Sequence, residues 1–435
     1  MAWQLSGAPP QGRPPGWRDV PQPEAETGLG WREAVRLAVE RYPSISAARA
    51  NLEQQSHMVD AARSGYRPRL QTEVTTGEQG EFGSGQVATL GLSQMLYDFG
   101  KTGSAVERER AGERREQAAL RQAIDEVLED TAEALIEVHR YQTLQRTVKA
   151  QIEALGKVQE ITELRANAGA ATRSDPLQAR ARMEAAHAHL LAVESQLRQW
   201  RNRLQTYIGA DSLPEVAAAP AGVLDQPSAE VDIRHLPAMQ IAQARRAEAQ
   251  AALDNVRAQR YPTVTLEANA NRRMGQAGDR YEQIYGRDTY STAYVSVRSP
   301  LYQGGELSAQ ARAGANALQA AEAELQAERL TALDNLHRRR EEVAGLRERI
   351  AVLEKRVASI TETRGLYWDQ YLSLGTRSVL DLLNAEQEIG QSTEDLDNAR
   401  HDLWAAQLGH LLAAGRARSA FGLEGAPTLD GEIGR

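Results

Sequence analysis

The chain has 435 residues, a formal net charge of −8 and no sustained basic face, which argues against nucleic acid as a main partner. It has no cysteine, which excludes disulfides, thiolate metal sites, cysteine nucleophiles and any lipid anchor built on an N-terminal cysteine. No stretch reaches the roughly 20 apolar residues of a transmembrane helix, and Ala, Gln, Glu and Arg dominate the long segments, as in coiled coils.

Residues 1–28 are rich in Pro and Gly and read as a disordered lead without the apolar core of a signal peptide. The chain therefore reads as a mature form or as a cytoplasmic protein. A helix is expected from about Leu29 to Gly65, mildly interrupted at Pro43 and ended by Pro68. Leu70, Thr72, Val74 and Thr76 then alternate with Gln71, Glu73 and Thr75, the period of a strand with one polar face. A Gly-rich turn over 77–85 leads to a second strand, Gln86 to Tyr97. From Thr102 to about Asn167 there is no proline. Leu120, Ile124, Val127, Thr131, Ala134, Val138, Tyr141, Gln145, Val148, Ile152 and Leu155 follow steps of four and three, a heptad seam. Such a helix would be ~100 Å long at 1.5 Å per residue. Gly169 to Ser174 reads as a turn, and Ser174-Asp175-Pro176 as a helix start with serine as the cap. The returning helix runs to about Ile208.

After a proline-bearing linker over 209–236 the plan repeats. Pro43 to Pro68 and Pro237 to Pro262 enclose the same interval (68 − 43 = 262 − 237 = 25), and Ala48, Ala50, Asp60 and Arg63 recur as Ala242, Ala244, Asp254 and Arg257. Leu96-Tyr97-Asp98-Phe99-Gly100 is echoed by Leu301-Tyr302-Gln303-Gly304-Gly305. The second half is expected to hold a helix over 237–260, strands over 263–271 and 289–302, and a polar loop over 272–288 between them. A long helix over 306–372, a turn at Gly375 and a last helix to Phe421 follow, with a loose tail over 422–435. Length alone suggests about two or three domains. A duplicated unit of about 200 residues, spanning 29–208 and 237–421, replaces that expectation with one mostly helical architecture in two similar halves.

Each half offers two strands long enough to cross a bilayer as tilted β. Tyr66, Tyr97, Tyr261, Tyr290, Tyr294 and Tyr302 lie in or beside them, as in interfacial aromatic girdles. Four strands cannot close a barrel and lipid tolerates no open edge, so a membrane reading requires several chains. The other reading is two hairpins on a soluble helical scaffold. Nothing points to catalysis, a cofactor or a metal: nucleotide loops, G-x-S-x-G and H-E-x-x-H are absent. His187 and His189 fall on different helix faces, the remaining histidines are isolated, and Arg338-Arg339-Arg340 reads as a solvated face.

The string Leu374-Gly375-Thr376-Arg377-Ser378-Val379-Leu380-Asp381-Leu382-Leu383-Asn384-Ala385-Glu386-Gln387 resembles the second helical turn of the TolC-type outer-membrane efflux ducts, nearest to the branch that serves type I secretion. The paired proline-to-strand junctions and Leu-Tyr-x-x-Gly strand exits resemble the same family over about 29–421. The resemblance implies a homotrimer with a 12-stranded β-barrel in the outer membrane and a long α-helical barrel across the periplasm. It implies a passive conduit, joined through a periplasmic adaptor to an inner-membrane transporter of ABC type.

Carried onto this chain, the resemblance makes Gly169, Ala170 and Thr172, and Gly375 and Thr376, the two tip turns that meet the adaptor. Arg377 and Asp175 match a charged pair holding neighbouring helices at the closed entrance, and Asp381 matches an acidic ring at the constriction. The second ring position, often acidic, is Asn384 here. The tyrosine expected three residues before the tip glycine is replaced by Leu372, with Tyr371 one step earlier. Crowded like charges in a narrow pore repel, and a bridging arginine offsets that while the tip is shut, so the pair reads as a two-state latch. Three functions follow: a type I secretion duct, the outer duct of a multidrug efflux pump, or a soluble coiled-coil scaffold.

Overall fold

The computed structural model describes residues 29–78, 84–220, 222–225 and 231–423. Its helices are α1 (Trp31–Arg41), α2 (Pro43–Arg63), α3 (Lys101–Asn167), α4 (Ser174–Ile208), α5 (Pro237–Ala258), α6 (Gln276–Tyr285), α7 (Glu306–Asp369), α8 (Val379–Ala413) and α9 (Ala417–Ala420). The strands are β1 (Arg69–Glu78), β2 (Ser84–Tyr97), β3 (Thr263–Met274) and β4 (Thr289–Arg298). The expected lead over 1–28 and most of the tail lie outside the described residues. Leu423, assigned to the tail, is buried.

Two compact units cut across the sequence repeat. One holds residues 1–46, 123–231 and 334–435; the other holds 47–122 and 232–333. In the first, the α3 seam is buried at Ile124, Val127, Thr131, Ala134, Val138, Val148 and Leu155. Trp31 anchors α1 there, fully buried, its indole N–H donating to Ala217 O at 2.9 Å. In α7, only Ala321 and Ala332 are fully buried; Val343, Leu346, Ile350, Leu353, Val357 and Ile360 stay half-exposed in the single chain.

In the second unit the strands form one antiparallel sheet in the order β1-β2-β3-β4. One end joins the helices. There Asp98 accepts from the backbone N–H of Gly100 (3.0 Å) and Thr102 (2.7 Å), starting α3 at a sharp corner where Phe99 has φ 55°. The other end carries α6; most of the turn expected over 77–85 lies outside the described residues.

The register sorts every strand residue by face. Leu70, Leu92, Ala268 and Ala293 form one cross-strand row, and Thr72, Leu90, Ala270 and Ser291 the next. The opposite face carries Arg69, Ser93, Glu267 and Tyr294, then Gln71, Gly91, Asn269 and Thr292, then Glu73, Thr89, Asn271 and Tyr290. The first face is the apolar one, and its Leu70, Val74, Val295 and Val297 are exposed.

Several expectations change. The polar segment over 272–288 is not a loop: α6 occupies most of it, entered at Gly275 (φ 73°) and left at Gly286 (φ 77°). Arg273 stacks over Tyr281 at 4.1 Å and pins this helix to β3. The last strand ends at Arg298 because Ser299-Pro300 cannot extend the ladder. The first helix breaks into α1 and α2 at Tyr42, which is extended before Pro43. Tyr290 and Tyr294 do not belong to an outer girdle, since they share the polar face with Glu267, to which the Tyr294 hydroxyl donates at 2.7 Å. Tyr66, Tyr97 and Tyr261 remain exposed at the helix-bearing end, and Phe99 packs between Tyr97 and Tyr261.

Candidate functional site: the helical tip and the sheet wall

The first tip turn closes α3. Gly169 takes φ 75°, its N–H donates to Ala166 O at 3.1 Å, and Ala170 N–H donates to Arg165 O at 2.8 Å. Ser174 is the first residue of α4 rather than its cap; the cap position is Arg173, which makes no side-chain cap bond. The Thr172 hydroxyl instead donates to Asp175 Oδ1 at 2.7 Å, and Asp175 N–H donates back to Thr172 O at 3.2 Å.

The second tip turn is built differently. α7 widens into a single π turn, Gln370–Leu374, before Gly375 at φ 62°. A π turn holds one more residue than an α turn. Ser378 caps α8 in a reciprocal box: Asp381 N–H donates to Ser378 Oγ (3.2 Å) and Ser378 N–H to Asp381 Oδ2 (3.4 Å). Arg377 lies 3.8 Å from Asp381 Oδ2, donates to Gln370 Oε1 at 2.9 Å and stacks over Tyr367 at 4.5 Å.

Within the protomer, among the described residues, Arg377 and Asp175 are therefore not partners: Asp175 is held by Thr172, and Arg377 by its own turn. Asn384 accepts from Arg182 at 3.4 Å, and Arg182 also donates to Gln387. An apolar cluster of Leu155, Val158, Ala179, Val379, Leu382 and Leu383 packs beneath the two turns and takes in Tyr371.

Two features escaped sequence reasoning. Arg165, from the end of α3, donates to Tyr371 O at 2.7 Å and lies over its ring at 4.6 Å, joining the first tip to the second. Burial raises the Tyr371 phenol pKa, and among the described residues the hydroxyl has no hydrogen-bond partner. The histidines read as isolated include a contacting pair, His139 and His401. His139 Nδ1 lies 2.8 Å from His401 Nε2, and His401 Nδ1 lies 2.6 Å from Asp397 O. The carbonyl can only accept, so His401 Nδ1 carries the proton and His139 Nδ1–H donates to His401 Nε2. Trp404 packs on both rings at about 5 Å. Burial pushes the His401 imidazole down to about 4; its bond to Asp397 works against that, and His139 and Arg140 add to it. No local signal could have found a pair 262 positions apart.

The sheet supplies a wall with one apolar and one polar face, the alternation of a transmembrane strand with lipid outside and water inside. Its edges, β1 and β4, are unpaired in the single chain. The sequence profile of the outer membrane efflux protein family matches residues 34–210 and 233–415, most of the chain, in two successive copies.

The chain belongs to the outer membrane efflux protein family. It is thus a channel protein of the outer membrane extending into the periplasm, and not an enzyme. The chain is 26% identical to the outer membrane efflux protein BepC of Brucella suis, over 88% of this chain and 84% of that one. It is 24% identical to the alkaline protease secretion protein AprF of Pseudomonas aeruginosa, over 87% and 82% respectively. Among solved structures, the outer membrane protein VceC of Vibrio cholerae superposes with TM-score 0.76 at 21% identity, covering 88% of this chain and 96% of that one. CusC superposes with TM-score 0.79 at 15% identity, covering 89% and 94%. These likenesses establish the fold, four strands per chain and long paired helices, consistent with a barrel completed by three protomers.

Proposed function

We propose that this channel is the outer-membrane duct of a type I secretion system, a homotrimer passing polypeptide passively once an adaptor and an ABC-type inner-membrane transporter engage it. The observation that carries the reading is the second tip turn. The Leu374–Gln387 string begins at the last residue of the π turn and folds into the glycine exit and the Ser378–Asp381 box, and it resembles the secretion branch. The likeness to AprF, which is named for alkaline protease secretion, supports it. Trimerisation is supported by the unpaired edges of β1 and β4 and by the half-exposed seam of α7, since lipid tolerates no open edge and apolar seams need partners.

In this reading Gly169, Ala170, Thr172, Gly375 and Thr376 meet the adaptor. Asp381, repeated by symmetry, forms one acidic ring, with Asn384 neutral in the next. Arg377 and Asp175 latch neighbouring helices at the closed entrance. They do not meet inside a protomer, so the latch forms between protomers, and Arg377 exchanges Asp381 and Gln370 for Asp175 as the tip shuts. The second reading, the outer duct of a multidrug efflux pump, draws support from the likeness to BepC, which is named as an outer membrane efflux protein.

Co-expression with an ABC exporter, its adaptor and its polypeptide cargo, in cells lacking their own duct, separates the two. Secreted cargo in the medium supports the secretion reading. Restored drug resistance with no secreted polypeptide overturns it in favour of efflux.

A further inference from the structure

The membrane-facing side of the sheet is not uniformly apolar. Its lower rows carry Leu70, Leu92, Leu266, Val295 and Val297, but toward the end bearing α6 the side chains shrink. Ala88, Ala270 and Ser291 leave a groove of about 470 Å³ beside Leu90, and Arg272 and Arg287 line it. By register Arg272 lies in the same row as Ala88 and Thr289, so it belongs to the lipid-facing set and not to the channel interior. Its height is set by strand geometry. Arg272 stands eight residues above Val264 (272 − 264 = 8), ~26 Å along the strand and ~20 Å along the membrane normal at a tilt of about 40°. That is the upper margin of an apolar band about 25 Å tall.

An arginine facing lipid is strongly unfavourable at the midplane and nearly neutral at the interface, where phosphates replace water as its partner. Among the described residues Arg272 pairs with Asp288 Oδ2 at 3.5 Å, and its side chain is 68% exposed. Arg287 is exposed beside it. Among the described residues that line or face the groove, one carboxylate against two guanidinium groups leaves a positive rim over a floor of small side chains.

We propose that this groove holds a phosphorylated outer-leaflet lipid, with a headgroup phosphate bridged by Arg272 and Arg287 and an acyl chain lying over Ala88, Ala270 and Ser291. Arginine suits the headgroup because its planar fork pairs two N–H groups with two phosphate oxygens. The small side chains suit the chain, since a larger residue at any of them would fill the groove. α6 braces the site from the neighbouring face through Arg273 stacked on Tyr281, so the β3–β4 end keeps a fixed shape. The inference rests on the membrane-spanning sheet alone and is independent of what the channel carries.

The test uses the full-length trimer in phosphatidylcholine nanodiscs with and without diphosphoryl lipid A, counting retained lipid A by native mass spectrometry. The unaltered protein is expected to retain lipid A, and inorganic phosphate in excess is expected not to displace it. The double variant Arg272→Gln with Arg287→Gln is expected to bind roughly tenfold more weakly, the loss of charge-assisted hydrogen bonds. Ala270→Phe keeps both arginines and fills the groove, and a loss of about threefold is expected. Equal retention in the double variant, or in the groove-filled variant, overturns the proposal. Displacement by inorganic phosphate also overturns it, because the site would then take a free anion. Single-channel conductance measured on the same preparations shows whether the barrel is intact, so a misfolded variant is recognised as such, and Ala270→Phe alone then decides.

Discussion

The His139–His401 pair makes the stability of the helical region depend on pH in a way one substitution isolates. His401 is 3% exposed, its Nδ1–H is committed to Asp397 O and its Nε2 accepts from His139, so a proton gained at Nε2 breaks the pair and puts a charge among Trp404, His139 and Arg140. Its folded pKa of about 4 lies below the ordinary 6.5. The unfolded chain therefore binds the proton first, and stability present above pH 6.5 is lost as pH falls toward 4. Between pH 7.5 and 4.5 that loss is roughly 2–3 kcal/mol per protomer.

A bare pH profile would not show it. Burial raises Asp125 to about 6 against the pull of Arg418, and burial also raises Glu129, Glu137 and Asp397. Raised carboxylates destabilise the fold at neutral pH and are relieved on acidification, with the opposite sign in the same window. His401→Gln removes the contribution of this imidazole and leaves those of the carboxylates. Urea unfolding of the helical circular-dichroism signal in detergent, at both pH values, should show the variant gaining roughly 2–3 kcal/mol on the unaltered protein as pH falls. A gain under about 0.5 kcal/mol would refute the burial argument.

Arg377→Ala or Asp175→Ala should raise single-channel conductance in planar bilayers severalfold, and unchanged conductance in both would remove the latch. Asp381→Ala should weaken block by multivalent cations added on the tip side; an identical block would count against the acidic ring. Tyr371→Phe removes a buried hydroxyl that has no partner, so thermal unfolding should show no loss beyond about 0.5 kcal/mol, whereas Tyr371→Ala should cost about 3–5 kcal/mol. Asp98→Ala, which leaves two N–H groups at the start of α3 without their carboxylate, should cost about 1–2 kcal/mol in the same assay.

Long-range regularities were legible without coordinates because they are properties of period. The α3 seam is a heptad count, the sheet faces are a count of two, and the duplication is a spacing between prolines; each is written locally and repeated. The tip glycines Gly169 and Gly375 were legible for the same reason, since a left-handed turn after a long helix asks for glycine. Tyr290 and Tyr294 show where composition misleads: their parity put them with Glu267 and Asn271, but aromatic residues at a strand end suggested a girdle.

What tertiary structure decided has no local signature. α6 forms in a polar segment because two glycines bound it and Arg273 holds Tyr281. In the π turn at Gln370, Tyr371 enters the core under the tip and Arg165 clamps its carbonyl. His139 and His401 meet because α3 and α8 lie side by side, and burial of both rings then sets their titration. The sequence alone determined which residues repeat and which face alternates, since periodicity survives in one dimension. Partners across helices, and the pKa values that burial imposes, came only from the folded chain.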